Sequence, residues 1–522
     1  MSRECESSEH WGSRFGFIMA AAGSAVGLGN VWKFPYITGM NGGGAFVLVY
    51  IFCILLVGLP CMVGELALGR ASRCDAVGAL KNLAPKKSIF PGILGGYGLG
   101  LGTMLLMNGS VGLGVMVLIL SVLILLFRWG FLGFSNVFVA GAILSYYSII
   151  GGWIIYYTFL AFSNGLAFKE TSAAAAVFGK VASSFSLSAG TGALFLVACC
   201  AVCWFGVKKG IEGVSKLVMP VMLLIILVLV IRALTLPGAM KGLDFYLMPR
   251  FANLSAKGAL EALGHAFYSL SLGMAILIVY GSYLPKNRDI VKSACYVAVL
   301  DTLIALLAGL AIFPAVFAMG MKPDAGPGLI FNILPVTFNA IPGNLGWLWS
   351  GLFFVLMFIA AFTSGISLLE TVAASFIRQA HMGRRASVLL STVLVGVLMT
   401  FISAGIVSWE NFPLLKKELT VLFGSVKDSL FDEVDFYCSS WILPLNGLVV
   451  SIFAGWCFGV KNVSREVYRG TKLEHLELAA KKHRMFLRAP MISWSFFIRY
   501  IAPLMILLIL CHGAGLFGKV FG

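Results

Sequence analysis

The sequence predicts an all-α polytopic membrane protein with a five-plus-five inverted repeat, in which the first and sixth transmembrane helices are broken. The chain has 522 residues, of which 59% are hydrophobic and 11% are charged. Soluble globular chains are nearer to about 45–50% apolar and about 25% charged. The apolar residues form runs close to the ~20 residues that a helix needs to cross a bilayer. This composition argues against a soluble enzyme, a nucleic-acid-binding protein and a disordered chain.

Eleven of the apolar runs are predicted to cross the membrane. The predicted spans are 14–40, 44–68, 134–162, 190–207, 214–235, 258–283, 290–320, 344–377, 387–407, 430–459 and 490–515. The first repeat covers 14–235, the second covers 258–459, and the eleventh helix, 490–515, follows them. The tail 1–13 and the loop 460–489 are predicted to be cytoplasmic. No cleaved signal peptide is expected, because the first 15 residues are polar and lack a cleavage site.

Lysine and arginine are concentrated in alternate loops between these spans. The net charge of +16 could indicate a nucleic-acid partner, but this alternation indicates membrane orientation, because cytoplasmic loops carry an excess of Lys and Arg. The longest basic loop carries Lys461, Arg465, Arg469, Lys472, Lys481, Lys482, Arg484 and Arg488. The amino terminus is therefore predicted to lie inside and the carboxyl terminus outside.

A further apolar stretch, 93–127, lies between the second and third spans. It is too long for one crossing, and a single crossing would invert every later loop and break the charge asymmetry. Two short passes preserve the asymmetry, and Met107-Asn108-Gly109-Ser110 is a suitable turn between them. We therefore predict an extra hydrophobic hairpin in the first repeat.

Two glycine- and serine-rich interruptions mark the first and sixth spans. The first is Gly23-Ser24-Ala25-Val26-Gly27-Leu28-Gly29-Asn30, with Pro35 after it, and the second is Ser269–Ala275. Each glycine costs a helix about 1 kcal/mol relative to alanine. Close helix packing is an alternative explanation for small residues in a membrane. Interruptions at corresponding positions of two halves favour an inverted repeat with its binding site at the breaks, because unwound backbone survives in a bilayer only where it lines a cavity.

Five segments of the chain resemble the neurotransmitter:sodium symporter family, in particular its bacterial amino-acid transporters. The segments are HWGSRFGFIMAAAGSAVGLGNVWKFPYITGMNGGGAFVLVY, GHAFYSLSLGMA, DTLIALLAGLAIFPAVF, AGPGLIFNILPVTF and AAFTSGISLLET. The resemblance covers roughly residues 10–515, apart from the 93–127 insertion and a longer loop at 408–429. It implies sodium-coupled transport of a small molecule by alternating access.

The resemblance implies two sodium sites built from oxygen ligands. Site one corresponds to Ala25, Asn30, Ser269 and Asp301, and site two to Gly23, Val26, Ala360, Thr363 and Ser364. By themselves, the hydroxyls of Thr363 and Ser364 would be interpreted as bonded to their own helix. Asp301 replaces an amide found in some relatives. A bare carboxylate in mid-membrane is costly, so it should have a cation partner, the alternative being a protonated, hydrogen-bonded acid.

The resemblance also implies a substrate site at the first break. The substrate carboxylate would meet the backbone of Leu28 and Gly29 and the hydroxyl of Tyr147. Amine carriers of the family have Asp at the position of Gly27, so the substrate should bring its own carboxylate. The implied binding residues are Ala25, Gly27, Leu28, Gly29, Ile143, Tyr147, Tyr268, Ser269, Ser271, Met274, Gly365 and Leu368. The side-chain pocket holds no fixed charge, and small Gly365 would leave room for a large neutral side chain.

Gates at both ends of the pathway are implied in the same way. Lys33 with Asp435 matches the outer ion pair, and Tyr268 the aromatic lid above the substrate. On the inner side the matching residues are Gly210, Pro220, Trp11, Tyr283 and Glu65. Pro220 follows Gly210 after nine residues, a spacing at which the fifth helix can unwind. The inner ion pair does not match, since Ser8 and Arg378 stand at its positions. A swapped pair of Arg378 with Glu9 or Glu6 is one possibility, and solvated loop charges are the other.

The chloride site of animal members is incomplete in this chain. Its positions correspond to Tyr50, His265, Ser269 and Ala305, where His265 and Ala305 replace an amide and a hydroxyl, and Asp301 supplies negative charge instead. We therefore expect a sodium symporter that imports a neutral, large hydrophobic or aromatic amino acid, uses two sodium ions and needs no chloride. No nucleotide motif is present, and neither an enzyme activity nor an obligate protein partner is expected.

Two rival functions remain open at this level. One is a chloride-dependent osmolyte or amine carrier of the same fold, and the other is a transport-inactive membrane sensor. Gly27 and Asp301 argue against the first, and the competent side chains at every ion-site position argue against the second. The expected location is the bacterial inner membrane, in contact with lipid.

Overall fold

The computed structural model describes residues 9–85, 90–107, 111–321, 329–341, 343–406, 409–423, 426–469 and 493–513. Within these ranges the regular structure is entirely helical. Within these ranges, ten segments are long and apolar enough to cross a membrane: Arg14–Ala25 with Gly29–Met40, Gly44–Ser72, Trp129–Phe162, Phe185–Trp204, Val207–Leu234, Ile290–Ala318, Gly346–Gln379, Arg384–Ala404, Leu430–Cys457 and Ser493–His512. The predicted sixth span corresponds to two shorter helices, Ala256–Ser269 and Ile276–Ser282. Shorter helices between them include Ala76–Leu83, Thr171–Ser183, Ala239–Leu247, Leu334–Ala340, Pro413–Phe423 and Val460–Tyr468.

Three spans begin earlier than the hydrophobic pattern predicts. The third begins at Trp129 and the fourth at Phe185, where Ser184 accepts a hydrogen bond from the backbone N–H of Leu187. The fifth begins with one π-helical turn, Val207–Ile211. Hydropathy marks the apolar middle of a span, whereas caps and buried aromatic side chains decide where the helix begins.

The first span is broken at the predicted position. Its two helices, Arg14–Ala25 and Gly29–Met40, meet at an angle of 49°. Val26 has ψ 95°, an extended conformation that ends the first helix, and the second helix starts with the π-helical turn Gly29–Lys33. The backbone N–H groups of Gly27 and Leu28 therefore lie outside the helical ladder and donate to side chains instead, to Asn30 Oδ1 and to the Tyr147 hydroxyl, both at 3.2 Å.

The sixth span is broken between Leu270 and Ala275. Ser271, Gly273 and Ala275 all have positive φ (55°, 73° and 62°), a conformation that non-glycine residues rarely adopt. Neighbouring spans satisfy this exposed backbone, because Glu65 accepts from Gly273 N at 2.8 Å and Asn446 donates to Gly273 O at 3.2 Å. Glu65 is thus a support of the break.

The insertion forms two helices, Phe90–Met107 and Val111–Phe127, packed against each other. Gly95 faces Leu125, and Gly98 faces Ser121, so the helices run antiparallel. Helix Pro413–Phe423, which follows the outer end of the ninth span, also packs against Val111–Phe127. The residues of the proposed turn, 108–110, lie outside the described ranges. That both helices cross the membrane stays a prediction.

Single cysteines at Ala84 and Gly130 should both be labelled from the cytoplasmic side, and a cysteine at Met107 from the outer side. The expected pattern follows from two passes, which return the chain to the side where it started. The measurement is labelling with a membrane-impermeant thiol reagent in right-side-out and inside-out vesicles. Opposite sides for positions 84 and 130 would contradict the hairpin, and cytoplasmic labelling at all three would mean that it lies flat.

Candidate functional site

A fully buried carboxylate, that of Asp301, lies beside the two breaks. The side-chain amide of Asn30 donates to Asp301 Oδ1 at 2.8 Å, and the Ser269 hydroxyl donates to Oδ2 at 2.9 Å. The Tyr50 hydroxyl donates to Ser269 Oγ at 3.2 Å and to Asp301 Oδ2 at 3.4 Å. Four spans, the first, second, sixth and seventh, thus converge on one acid.

The hydrogen-bond donors around Asp301 suit a cation site. Within the described part of the chain, the side chains that donate to this carboxylate are all neutral, and its exposed fraction is 0%. An ionised carboxylate buried without a cation is costly. Asn30, Ser269 and Asp301 carry oxygen atoms of the kind that a hard cation prefers, although the Asn30 oxygen here accepts from Gly27 N at 3.2 Å. The donor chemistry of these three residues fits the sodium ion predicted for site one.

Two of the five residues predicted for the second sodium site, Gly23 and Ser364, meet across the interface of the first and eighth spans. Ser364 Oγ donates across the interface to Ser24 O at 3.0 Å and to Gly23 O at 3.4 Å. Thr363 Oγ1 donates to Ile359 O at 3.0 Å and to Ala360 O at 3.2 Å, within its own helix. The two hydroxyls differ, because only that of Ser364 reaches the first span.

A cavity joins the two breaks. Eleven of the twelve predicted substrate residues line it, together with Ser24, Ile276 and Ser364. The lining side chains are apolar, hydroxylic or aromatic, with no carboxylate or amine. The backbone N–H of Leu28 donates to the Tyr147 hydroxyl at 3.2 Å, so the two groups predicted to bind a carboxylate lie side by side.

Gly365 does not line the cavity, although the resemblance implied that its small size leaves room for the substrate. A methyl group there would lie 3.0 Å from Cys199 Sγ and 3.0 Å from Phe195 Cε1, so this glycine allows close packing of the eighth span on the fourth. One residue along a helix turns the side chain by about 100°, which moves position 365 away from the cavity that Ser364 lines.

Ser24 and Ile276 line the cavity but were not predicted. The carbonyl of Ser24 accepts from Ser271 Oγ and from Ser364 Oγ, both at 3.0 Å. Ile276 is the first residue of the helix after the second break. Both residues lie next to a break in a helix. Their closeness to the breaks was the one feature of the sequence from which their place in the cavity could have been predicted.

At the outer end, Lys33 lies over the ring of Tyr268, 4.8 Å from its centroid. The predicted Lys33–Asp435 pair is not among the ion pairs of the described residues. Asp435 instead accepts from Ser439 Oγ at 2.8 Å. Lys33 ends the π-helical turn Gly29–Lys33, and such a turn changes the direction in which a side chain leaves the helix. At the predicted outer gate, the observed contact of Lys33 is therefore a cation–π contact with Tyr268.

Lys33→Met should speed substrate dissociation roughly two- to thirtyfold. A cation–π contact contributes about 0.5–2 kcal/mol, and its loss frees the Tyr268 lid. Lys33→Arg should stay near the wild-type rate. Lys427→Met is a matched control, because Lys427 lies over Phe436 at 4.2 Å in a contact that does not adjoin the cavity. Release of radiolabelled substrate on dilution measures the rate, and an unchanged rate in Lys33→Met would exclude this gate.

At the inner end, Trp11 and Tyr283 meet as predicted for neighbouring gate residues. Trp11 Nε1 donates to Tyr280 O at 3.0 Å, and its ring centroid is 6.3 Å from that of Tyr283. The Tyr283 hydroxyl donates to Glu370 Oε1 at 2.7 Å. The N-terminal segment thus closes over the end of the sixth span.

The inner ion pair uses Arg384 rather than Arg378. Arg384 donates to both oxygens of Glu370, at 3.2 and 2.7 Å, and lies 3.4 Å from Glu9. Glu9 thus pairs with an arginine of the ninth span, which neither of the two alternatives predicted. Arg384 is the first residue of that span and reaches back to Glu370, whereas Arg378 lies in the last turn of the preceding helix. Ser8 and Glu6 lie outside the described residues.

Gly210 lies where the fifth span meets the fourth. A methyl group at Gly210 would be 2.0 Å from Val202 O, so only glycine allows this approach. Gly210 belongs to the π-helical turn Val207–Ile211, and Pro220 lies inside the helix that follows, Glu212–Leu234. The fifth span is helical throughout, from Val207 to Leu234.

Comparisons with known proteins agree with this geometry. Residues 8–127 and 189–517 match the model of the sodium:neurotransmitter symporter family. An uncharacterized sodium-dependent transporter of Bacillus subtilis, YhdH, is 32% identical over 97% of this chain and 98% of its own length. One from Haemophilus influenzae is 29% identical over 98% of this chain and 99% of its own. The crystal structure of MhsT in complex with L-phenylalanine superposes with a TM-score of 0.76 at 34% identity, covering 97% of this chain and 100% of MhsT. The chain is a multi-pass integral membrane protein and belongs to the sodium:neurotransmitter symporter family.

Proposed function

We propose that this protein is a symporter that couples sodium entry to the uptake of a neutral amino acid with a large hydrophobic or aromatic side chain, without a need for chloride. The observation that carries the proposal is the position of Asp301, a buried carboxylate with neutral donors only, next to a cavity without charged side chains. A bacterial inner membrane is the expected location, because the relatives from Bacillus and Haemophilus are bacterial.

The coupling between sodium and substrate follows from shared residues. Ala25 and Ser269 line the cavity, and Ser269 also donates to Asp301. A sodium ion held by Asp301 would fix Ser269 in the position that the substrate meets. Bound substrate would in turn raise the affinity for sodium, because the coupling of two binding equilibria is reciprocal.

The substrate class follows from the polarity of the cavity. The N–H of Leu28 and the Tyr147 hydroxyl form the polar end, where a carboxylate would replace their mutual hydrogen bond. Ile143, Met274 and Leu368 form the apolar remainder. An acidic or basic side chain would be buried there without a partner, which is costly. The relative MhsT was solved with L-phenylalanine, which supports a large apolar side chain.

The transport cycle would alternate between the two gates. The Tyr268 lid with Lys33 closes the outer side, and the Trp11 segment with Arg384 closes the inner side. Alternating access requires that the outer gate and the inner gate are never open at the same time. Sodium and substrate would stabilise the state in which both are closed, and the inner gate would then open.

An uptake screen of the standard amino acids in proteoliposomes, with and without a sodium gradient, tests the proposal. Sodium-dependent accumulation of large neutral amino acids is expected, with acidic and basic ones excluded. Asn30→Ala should weaken the sodium dependence, because it removes an oxygen ligand, and Lys427→Met serves as the control. Uptake at the same rate with and without a sodium gradient, or selectivity for a charged amino acid, would refute the proposal.

Replacing all chloride with gluconate at constant sodium should leave uptake unchanged. Of the positions matching a chloride site, Tyr50 donates to Ser269 and Asp301. The ring of His265 packs against those of Phe34 and Tyr50, with centroid distances of 5.8 and 5.4 Å. An anion beside ionised Asp301 would be repelled. A severalfold fall in uptake would count against this arrangement.

A further inference from the structure

We infer that Glu212 is a positioning residue that ties the cytoplasmic start of the first span to the fifth span, and that unwinding of the fifth span releases this tie. The inference deepens the proposed function, because it names the link between loosening of the fifth span and opening of the inner gate. It rests on the alternating-access cycle proposed above.

The first step is the bonding of the Glu212 carboxylate. It accepts from Gly12 N at 2.6 Å and from the Ser13 hydroxyl at 2.8 Å, and Lys216 Nζ lies 2.5 Å away. The exposed fraction of Glu212 is 2%. Two of these three partners belong to the segment just before the first span. A charge-assisted hydrogen bond is roughly twice as strong as a neutral one.

The second step is that the first span is shaped to receive this carboxylate. Ser13 is the N-cap of helix Arg14–Ala25, because its hydroxyl accepts from Gly16 N at 2.9 Å. A methyl group at Gly16 would lie 2.2 Å from Glu212 Oε1, so only glycine leaves the space. Glu212 therefore binds the cap of the helix and occupies the gap beside it, which makes the contact specific.

The third step is the place of Glu212 in the fifth span. It directly follows the π-helical turn Val207–Ile211 and lies between Gly210 and Pro220. A π turn and an internal proline both weaken the hydrogen-bond ladder of a helix. Farther along the same helix, Met219 Sδ is 3.1 Å from where a methyl group on Gly23 would lie. The same stretch thus contacts both the predicted second sodium site and the start of the first span.

These contacts define a coupled event. If residues 207–220 unwind, the backbone that holds Glu212 moves, and the bonds to Gly12 and Ser13 break together. The neighbouring tie, from Glu9 to Val207 N at 3.2 Å, is anchored on the same stretch. Loss of both frees the segment that carries Trp11, which covers the end of the sixth span. Loosening at the second sodium site and opening of the inner gate are then one transition.

Alkylation of Cys203 in the full-length protein tests the inference. Cys203 is fully buried at the cytoplasmic end of the fourth span, and its carbonyl accepts from Arg384 Nε at 3.0 Å. Cys438, 3% exposed at the outer end of the tenth span, is the internal reference. A water-soluble maleimide is added in sodium buffer, and peptide mass spectrometry follows both cysteines in the wild type and in Glu212→Ala, Ser13→Ala and Lys216→Met.

Glu212→Ala should raise the alkylation rate of Cys203 at least fivefold while Cys438 keeps its wild-type rate. Ser13→Ala should act in the same direction, which keeps the test valid if Glu212→Ala does not fold. Lys216→Met leaves both bonds to the first span but removes the charge partner of Glu212, so its effect should be smaller than that of Glu212→Ala. An unchanged Cys203 rate in both variants, an equal rise at Cys438, or an equal effect of Lys216→Met would overturn the inference. The assay uses no substrate, so a wild-type protein that fails to transport amino acids would refute the proposed function alone.

Discussion

Replacing Asp301 with Asn should lower the apparent sodium affinity of uptake by at least a hundredfold. The carboxylate is fully buried, and its described side-chain donors are neutral, so in the proposed mechanism the sodium ion is its charge partner. Removing one member of a buried charge pair costs about 3–5 kcal/mol, and each 1.4 kcal/mol is about tenfold in affinity. Uptake measured against sodium concentration in proteoliposomes gives the shift.

Glu433→Gln is the matched control for this variant, because it neutralises another buried carboxylate, 3% exposed, near the outer end of the tenth span. Its sodium affinity should stay near wild type. Asp301→Asn combined with Ala305→Ser should restore some chloride sensitivity, since the negative charge would then have to come from an anion. A wild-type sodium dependence in Asp301→Asn would remove Asp301 from the first sodium site.

Gly27→Asp should abolish amino-acid binding. A carbon atom added at Gly27 would lie 2.7 Å from Ser364 Oγ and 3.1 Å from the Tyr147 hydroxyl, at the proposed position of the substrate carboxylate. Two like charges about 4 Å apart repel by about 4 kcal/mol at the effective dielectric constant of a protein, which corresponds to about a thousandfold in affinity. Equilibrium binding of a radiolabelled large neutral amino acid measures the loss.

The neutral variant Gly27→Asn separates charge from size in this test. It has the same shape and should lose affinity through steric conflict alone, so that it retains more binding than Gly27→Asp. If the two variants lose affinity equally, sterics explain the effect. If Gly27→Asp retains wild-type binding, the substrate carboxylate lies elsewhere.

Patterns within single helices were enough to predict the architecture. The eleven spans follow from the length of apolar runs, and both breaks follow from clusters of glycine and serine, because a bilayer allows unwound backbone only beside a cavity. The resemblance then pointed to Asn30, Ser269 and Asp301 as residues that meet. The structure brings these three together.

The partners of charged side chains were decided by the tertiary structure. The sequence suggested Lys33 with Asp435 and Arg378 with Glu9, whereas Lys33 lies over Tyr268 and Glu9 pairs with Arg384. One residue of helix rotation moved Gly365 from the cavity to the packing face of the fourth span. Glu212 gave no signal at all, because its role depends on Gly12 and Ser13, which lie about 200 positions away in the chain.

Local composition and spacing were sufficient to predict a membrane protein with two broken helices, and the family resemblance added the uncharged site between them. The partners of the side chains at the two ends of the proposed pathway became clear from the packing of the helices. The physical reason is that an ion pair or a cap requires atoms within about 3 Å. Such distances depend on how each helix is rotated and packed, which the residue types within one helix do not specify.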